Sequence, residues 1–218
     1  MKRCALLVAL AACAAAGEDN RIVPLADPPA EVAGLPRVLL IGDSISIGYT
    51  PAVRELLRGK ANVYRIATNG GPTINGLANL DSWLGRRKWD VLHANWGLHD
   101  LKIGRAGERQ VSLEQYERNL RILAPRLKSG AAHVIFANTT PVPEGKLSPA
   151  RLNSDVIAYN EAAARVMREN GIEVNDLYSL VLPRLKDLQL PENVHFTPAG
   201  YRVLADQVAA RISAALAR

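Results

Sequence analysis

The 218-residue chain is 48% apolar and 22% charged, ordinary for a globular protein and enough for one sizeable core in a single domain. Its formal charge of +6 falls to about +4 without Lys2 and Arg3, and the other cations lie scattered on helical faces. The one tight basic cluster, Arg86-Arg87-Lys88, closes a helix at the negative end of its dipole; no basic stripe interleaved with aromatics exists, which argues against nucleic acid as a partner.

Met1-Lys2-Arg3 is a basic n-region, Cys4 to Ala12 a short apolar stretch, and Ala14-Ala15-Ala16 an A-x-A cleavage site, so residues 1–16 read as an export signal. Leu10-Ala11-Ala12-Cys13 also resembles the lipobox of bacterial lipoproteins, in which cleavage before the cysteine leaves it acylated as a lipid anchor. Both readings export the chain: one to a membrane-anchored or periplasmic site, the other to a secreted form. Residues 17–36 are a Pro- and Ala-rich tether, and 37–218 the folded domain. Cys4 and Cys13 both precede that domain, which therefore has no disulfide, catalytic cysteine or cysteine zinc site. No stretch after the leader reaches the ~18 apolar residues of a membrane span.

Short β-like runs at 37–41, 62–67, 90–95, 132–138 and 172–175 alternate with helical patterns. Thr50-Pro51 signals a helix start, and Leu77, Leu80 and Leu84 share one face of a helix over 75–86. Ser112-Leu113-Glu114-Gln115 is a capping box ahead of Tyr116, Leu120, Leu123 and Leu127. A helix over 153–170 ends at Gly171, a pattern over 177–188 is interrupted near Pro183, and Thr197-Pro198 opens the last helix. Alternation of this kind predicts an α/β fold: a five-stranded parallel sheet of flavodoxin-like order 2-1-3-4-5 inside an α/β/α sandwich. Ligands of such sheets bind beyond the carboxyl ends of the strands.

Gly42-Asp43-Ser44 follows the first strand at that edge. A serine hydroxyl there is either a turn or cap residue, or a nucleophile if a base lies within hydrogen-bond reach. The turn lacks G-x-G-x-x-G and a Walker lysine, which disfavours nucleotide binding. Of the four histidines, His93 and His133 fall in strands and read as structural, whereas His99 and His195 fall in loops. No pair has zinc-motif spacing, so no metal or other cofactor is expected. Glu192, three residues before His195, can reach its Nδ1; Asn193 and a backbone carbonyl are the other groups in range. Trp96 reads either as core or as a ring on which a sugar could stack.

Four blocks in order, Gly42-Asp43-Ser44-Ile45-Ser46, Gly71-Pro72-Thr73, Gly97-Leu98-His99-Asp100 and Glu192 to His195, resemble those of the SGNH, or GDSL, hydrolases. The resemblance implies cofactor-free ester hydrolysis, with Ser44 as nucleophile, His195 as base and Glu192 as the acid. An oxyanion hole would use the Ser44 and Gly71 N–H groups and a side-chain donor. That donor is an asparagine in the family pattern and His99 here, with Asn95 as the substitute. The implied activity is an exported serine esterase for small acyl esters, with O-acetyl groups on carbohydrate foremost. A lysophospholipase or thioesterase, and an SGNH-fold binding module with impaired chemistry, are the rival readings. No heptad or exposed apolar stripe points to an oligomer.

Overall fold

In a computed structural model, residues 30–218 are described; the segment read as an export signal, Cys13 and most of the residues read as a tether lie outside them. Five parallel strands, β1 (Arg37–Ile41), β2 (Asn62–Arg65), β3 (Trp89–Asn95), β4 (Ala131–Ala137) and β5 (Glu173–Asn175), form one sheet in the order β2-β1-β3-β4-β5. Both faces are covered. Helices α1 (Ser44–Leu56) and α7 (Pro198–Leu216) pack together on one side, and α2 (Thr73–Leu84), α3 (Leu113–Gly130) and α4 (Asn153–Glu169) on the other. The short α5 (Leu177–Val181) and α6 (Leu185–Leu188) flank a 3₁₀ turn at Leu182–Arg184, where Pro183 breaks the run as its missing N–H requires. Central strands read as continuous apolar runs because they are buried on both faces: Val38, Leu40, Ile41, Val91 and Leu92 are fully enclosed. Among the described residues no helix is long and apolar enough to cross a membrane.

One element start differs from the Thr50-Pro51 signal. α1 begins at Ser44, because the Asp43 carboxylate caps it by accepting the Ile45 N–H at 2.9 Å. Pro51 then sits inside the helix, and the neighbouring Thr50 hydroxyl donates to the Ser46 carbonyl. The consequence is functional, since Ser44 becomes the first residue of a helix rather than part of a free loop.

His93 lies mid-strand in the core, and burial pulls its pKa down to about 4, so it is neutral. Its Nε2 accepts from the Asn175 amide at 3.1 Å. Trp96 is also core: it is 1% exposed, and its ring packs under Gly76, where a Cβ would come within 2.9 Å of it. The sugar-stacking reading of Trp96 is therefore wrong, because no face of the indole reaches solvent.

The carboxyl edge is tied together by Arg65, at the end of edge strand β2. Its guanidinium donates to the carbonyls of Gly42 (2.7 Å), Asp43 (3.0 Å), Ile66 (2.8 Å) and Thr68 (3.0 Å) and to Ser46 Oγ (3.2 Å). Burial pulls its pKa down to about 10, which still leaves it cationic at neutral pH. Replacing Arg65 by Met would strand several buried carbonyls. Chemical denaturation should show a loss of about 2–4 kcal/mol, and Arg65→Lys should recover only part of it, since one ammonium cannot span the same fork. An unchanged midpoint for Arg65→Met would contradict this.

Candidate active site

Ser44 and His195, 151 positions apart in sequence, meet at the carboxyl edge of the sheet: Ser44 Oγ lies 2.9 Å from His195 Nε2. The ring orientation follows from the other nitrogen. Asn193 Oδ1 stands 2.8 Å from His195 Nδ1 and 3.0 Å from the His195 backbone N–H. A backbone N–H can only donate, so the Asn193 atom facing both groups is its oxygen. Nδ1 therefore carries the ring proton, and Nε2 offers its lone pair to the Ser44 hydroxyl. This is the tautomer a general base needs.

Glu192, the acid suggested by the sequence, does not take this place. Its backbone turns through φ 48°, an unusual left-handed conformation, and its exposed carboxylate lies beside Gly145. The extra methylene is not the reason. Asn193 closes a short turn onto the backbone N–H two residues on, a geometry favoured by Asx side chains, and so reaches the ring first.

The four expected oxyanion donors differ in what they bond to. The Asp43 carboxylate takes the Ile45 N–H, leaving the first helical N–H, that of Ser44, without an intrahelical acceptor. Gly71 adopts φ 59°, but its N–H donates to Asn69 Oδ1 at 2.9 Å, so a ligand oxygen must displace that side chain to use it. His99 Nδ1 lies 3.0 Å from Lys102 Nζ. An ammonium has donors only, so Nδ1 is the acceptor and the proton of a neutral His99 sits on Nε2. Burial first, then the charges of Lys102, Arg151 and His195, hold the His99 pKa below the ordinary value, against the pull of Asp43. His99 thus presents one neutral N–H donor, as an asparagine would. Asn95, the substitute donor, does not: its amide is turned to the end of β4 and donates to Ala137 O at 2.9 Å.

Asp100 fixes these loops relative to one another. Its Oδ1 accepts from the Thr73 N–H at 2.9 Å and from the Thr73 hydroxyl, and Asn119 donates to that hydroxyl at 2.9 Å. Burial pushes the Asp100 pKa up to about 7. Arg151, 9% exposed, donates to Leu98 O at 2.9 Å behind His99. Arg65, Lys102, Arg151 and Asn69 are thus part of the site's architecture without having been singled out in the sequence. The only traces were a cation inside the apolar run at 62–67 and a lysine three residues after His99. Among the described residues no group of three His, Cys, Asp or Glu side chains could hold a metal ion.

A model of the GDSL-like lipase/acylhydrolase family matches residues 40–203. No curated protein matches in sequence. Similar solved structures include the lipase/acylhydrolase from Enterococcus faecalis (22% identity, TM-score 0.70, covering 83% of this chain and 96% of that one). An acetyl xylan esterase is similar at 16% identity and TM-score 0.69, covering 81% and 99%. The acetylxylan esterase from Geobacillus stearothermophilus is similar at 19% and 0.68, covering 81% and 94%. At these identities the structures share the fold.

Burial, and then the charge of Arg151, hold the His195 pKa below the ordinary imidazole value, opposed by Asp43. A base works only when neutral, so any activity of this pair should rise with pH through an inflection below about 6.5 and then level off. Asn193→Asp, which places a negative charge on Nδ1, should move that inflection upward. Asn193→Ala should cost about 10–100-fold in kcat, with Glu192→Gln close to the parent. The reverse ranking in a steady-state assay would return Glu192 to the acid position.

Proposed function

The chain belongs to the GDSL-like lipase/acylhydrolase family, and from that premise we propose that it is a serine esterase removing small acyl groups, foremost O-acetyl groups, from carbohydrate. The observation that carries this reading is the 2.9 Å Ser44–His195 contact, with the ring tautomer fixed by Asn193. Ser44 Oγ attacks the ester carbonyl carbon while its proton passes to His195 Nε2. The tetrahedral oxyanion is held by the Ser44 N–H and His99 Nε2–H, and by the Gly71 N–H once Asn69 has turned away. Collapse breaks the bond to the alcohol oxygen, which takes the proton from His195 and leaves an acetyl-Ser44 ester. Water, deprotonated by His195, repeats the addition and releases acetate and free serine.

The carbohydrate part is supported by a fold shared with two acetyl xylan esterases and by export read from residues 1–16, which gives access to extracellular polymers. The departures from the family pattern are compatible with chemistry: an amide can orient a histidine, and a neutral imidazole can donate.

A fluorophosphonate probe should label Ser44 and leave a Ser44→Ala variant unlabelled. A folded parent that takes no label would favour a binding module. With p-nitrophenyl esters, kcat/KM should be highest for acetate and fall with chain length; a rise towards long chains would favour a lipid acyl hydrolase. His99→Ala should lower kcat by about 10²–10³, and His99→Asn by much less. Equal activity in His99→Ala and the parent would remove His99 from the oxyanion hole.

A further inference from the structure

A groove runs along one edge of the sheet. β2 is an edge strand, α2 follows it in the chain, and residues of both border one groove on this side of the sheet. This groove, between α2 and the sheet edge, has a volume of about 810 Å³. Its floor includes Leu39 and its register partner Tyr64. Tyr64 is held in place from three sides. Trp89 meets its ring edge-on at 5.4 Å, Arg87 lies 5.0 Å over its face, and its hydroxyl donates to Glu31 at 2.6 Å.

The wall is a stripe on α2. Asn75, Asn79, Ser82 and Trp83 follow at i, i+4, i+7 and i+8, one face of a helix, while Thr73, Gly76 and Leu80 face the core. The hydrogen-bonding capacity of this stripe is largely unspent. Asn79 donates one amide proton to the Asn75 carbonyl at 2.9 Å; otherwise the Asn75 and Asn79 carboxamides, the Ser82 hydroxyl and the Trp83 indole N–H have no partner within the described protein. No carboxylate lines the groove; its charged lining is cationic, with Arg65 donating to backbone carbonyls and Arg86 and Arg87 just beyond the end of α2. Uncharged donors and acceptors in a row beside an indole suit a polyhydroxylated chain. They do not suit an acyl tail, which would leave every one of them unpaired.

The groove opens onto the proposed oxyanion loop. Asn69, which holds the Gly71 N–H, lines its near end, and Asn75 Nδ2 stands 2.5 Å from where a Cβ on Gly71 would be. When a substrate oxygen takes the Gly71 N–H, the released Asn69 carboxamide faces the same track. The 12 residues of α2 extend it by about 18 Å, room for several sugar rings.

We propose that this groove is the binding track for the saccharide chain that carries the ester. The inference rests on the esterase reading for what happens at Ser44, and adds where the alcohol component lies. Affinity electrophoresis through soluble xylan, glucomannan, pectin and alginate tests it without requiring turnover. At least one polymer should retard the full chain, and Trp83→Ala and the surface substitution Asn79→Ala should each weaken that retardation about tenfold or more. No retardation by any polymer, or equal retardation of both variants, overturns the groove. Turnover separates the two ideas. On the acetylated form of the retarding polymer, the kcat/KM of Asn79→Ala relative to that on p-nitrophenyl acetate should fall about tenfold. A chain that is retarded by the polymer but releases no acetate from it keeps the groove and sinks the carbohydrate-esterase reading. A chain that cleaves p-nitrophenyl acetate and binds no polymer does the opposite.

Discussion

One buried cation holds the carboxyl edge of this protein in shape. Arg65 has no carboxylate against it; four backbone carbonyls and a serine hydroxyl share its charge instead. Carbonyl dipoles disperse a guanidinium charge without creating a strong ion pair, so the cation survives burial while the loops after β1 and β2 are locked together. Gly42 and Asp43 are thereby fixed immediately ahead of Ser44, and the Gly70 N–H closes on the Gly42 carbonyl at 2.9 Å. The position of the serine is decided by the strand next door.

The electrostatics around that serine differ from those of a carboxylate-backed triad. The group on His195 Nδ1 is an amide, and the nearest carboxylate, Asp43, spends itself on a helix cap. Burial first, then the charge of Arg151, and at His99 that of Lys102 as well, favours neutral imidazoles at both His99 and His195. Such a site begins with its base free and its donor uncharged, but it gives less help to the imidazolium that forms during reaction. Stabilisation must then come mainly from the donors around the oxyanion.

Much of the fold was legible because its signals are periodic. Apolar runs interrupted at glycine turns gave the strands to within two residues at each end, and the capping residues Ser112 and Thr197 marked the starts of α3 and α7. The start of α1 was missed because proline normally opens a helix, whereas here the Asp43 cap lies a full turn and more upstream. Site residues divided along the same line. Ser44 and His195 sit at strand and helix ends, where position follows from topology. Glu192 and Asn95 were misplaced because their roles depend on side-chain direction within a turn, and adjacent residues of similar reach compete for one partner. Lys102 and Arg151 looked like any surface cation until their neighbours were known.

The contact that defines the site also spans nearly the whole domain. Ser44 follows the first strand, His195 comes after the fifth, and only α7 remains beyond it. Closing so long a loop carries a large entropic cost, so the Ser44–His195 contact depends on a formed sheet and on α7 docked against α1. A chain emerging in sequence order would carry an idle serine through almost all of its folding. In the proposed mechanism, reactivity at Ser44 would therefore report closure of the entire domain.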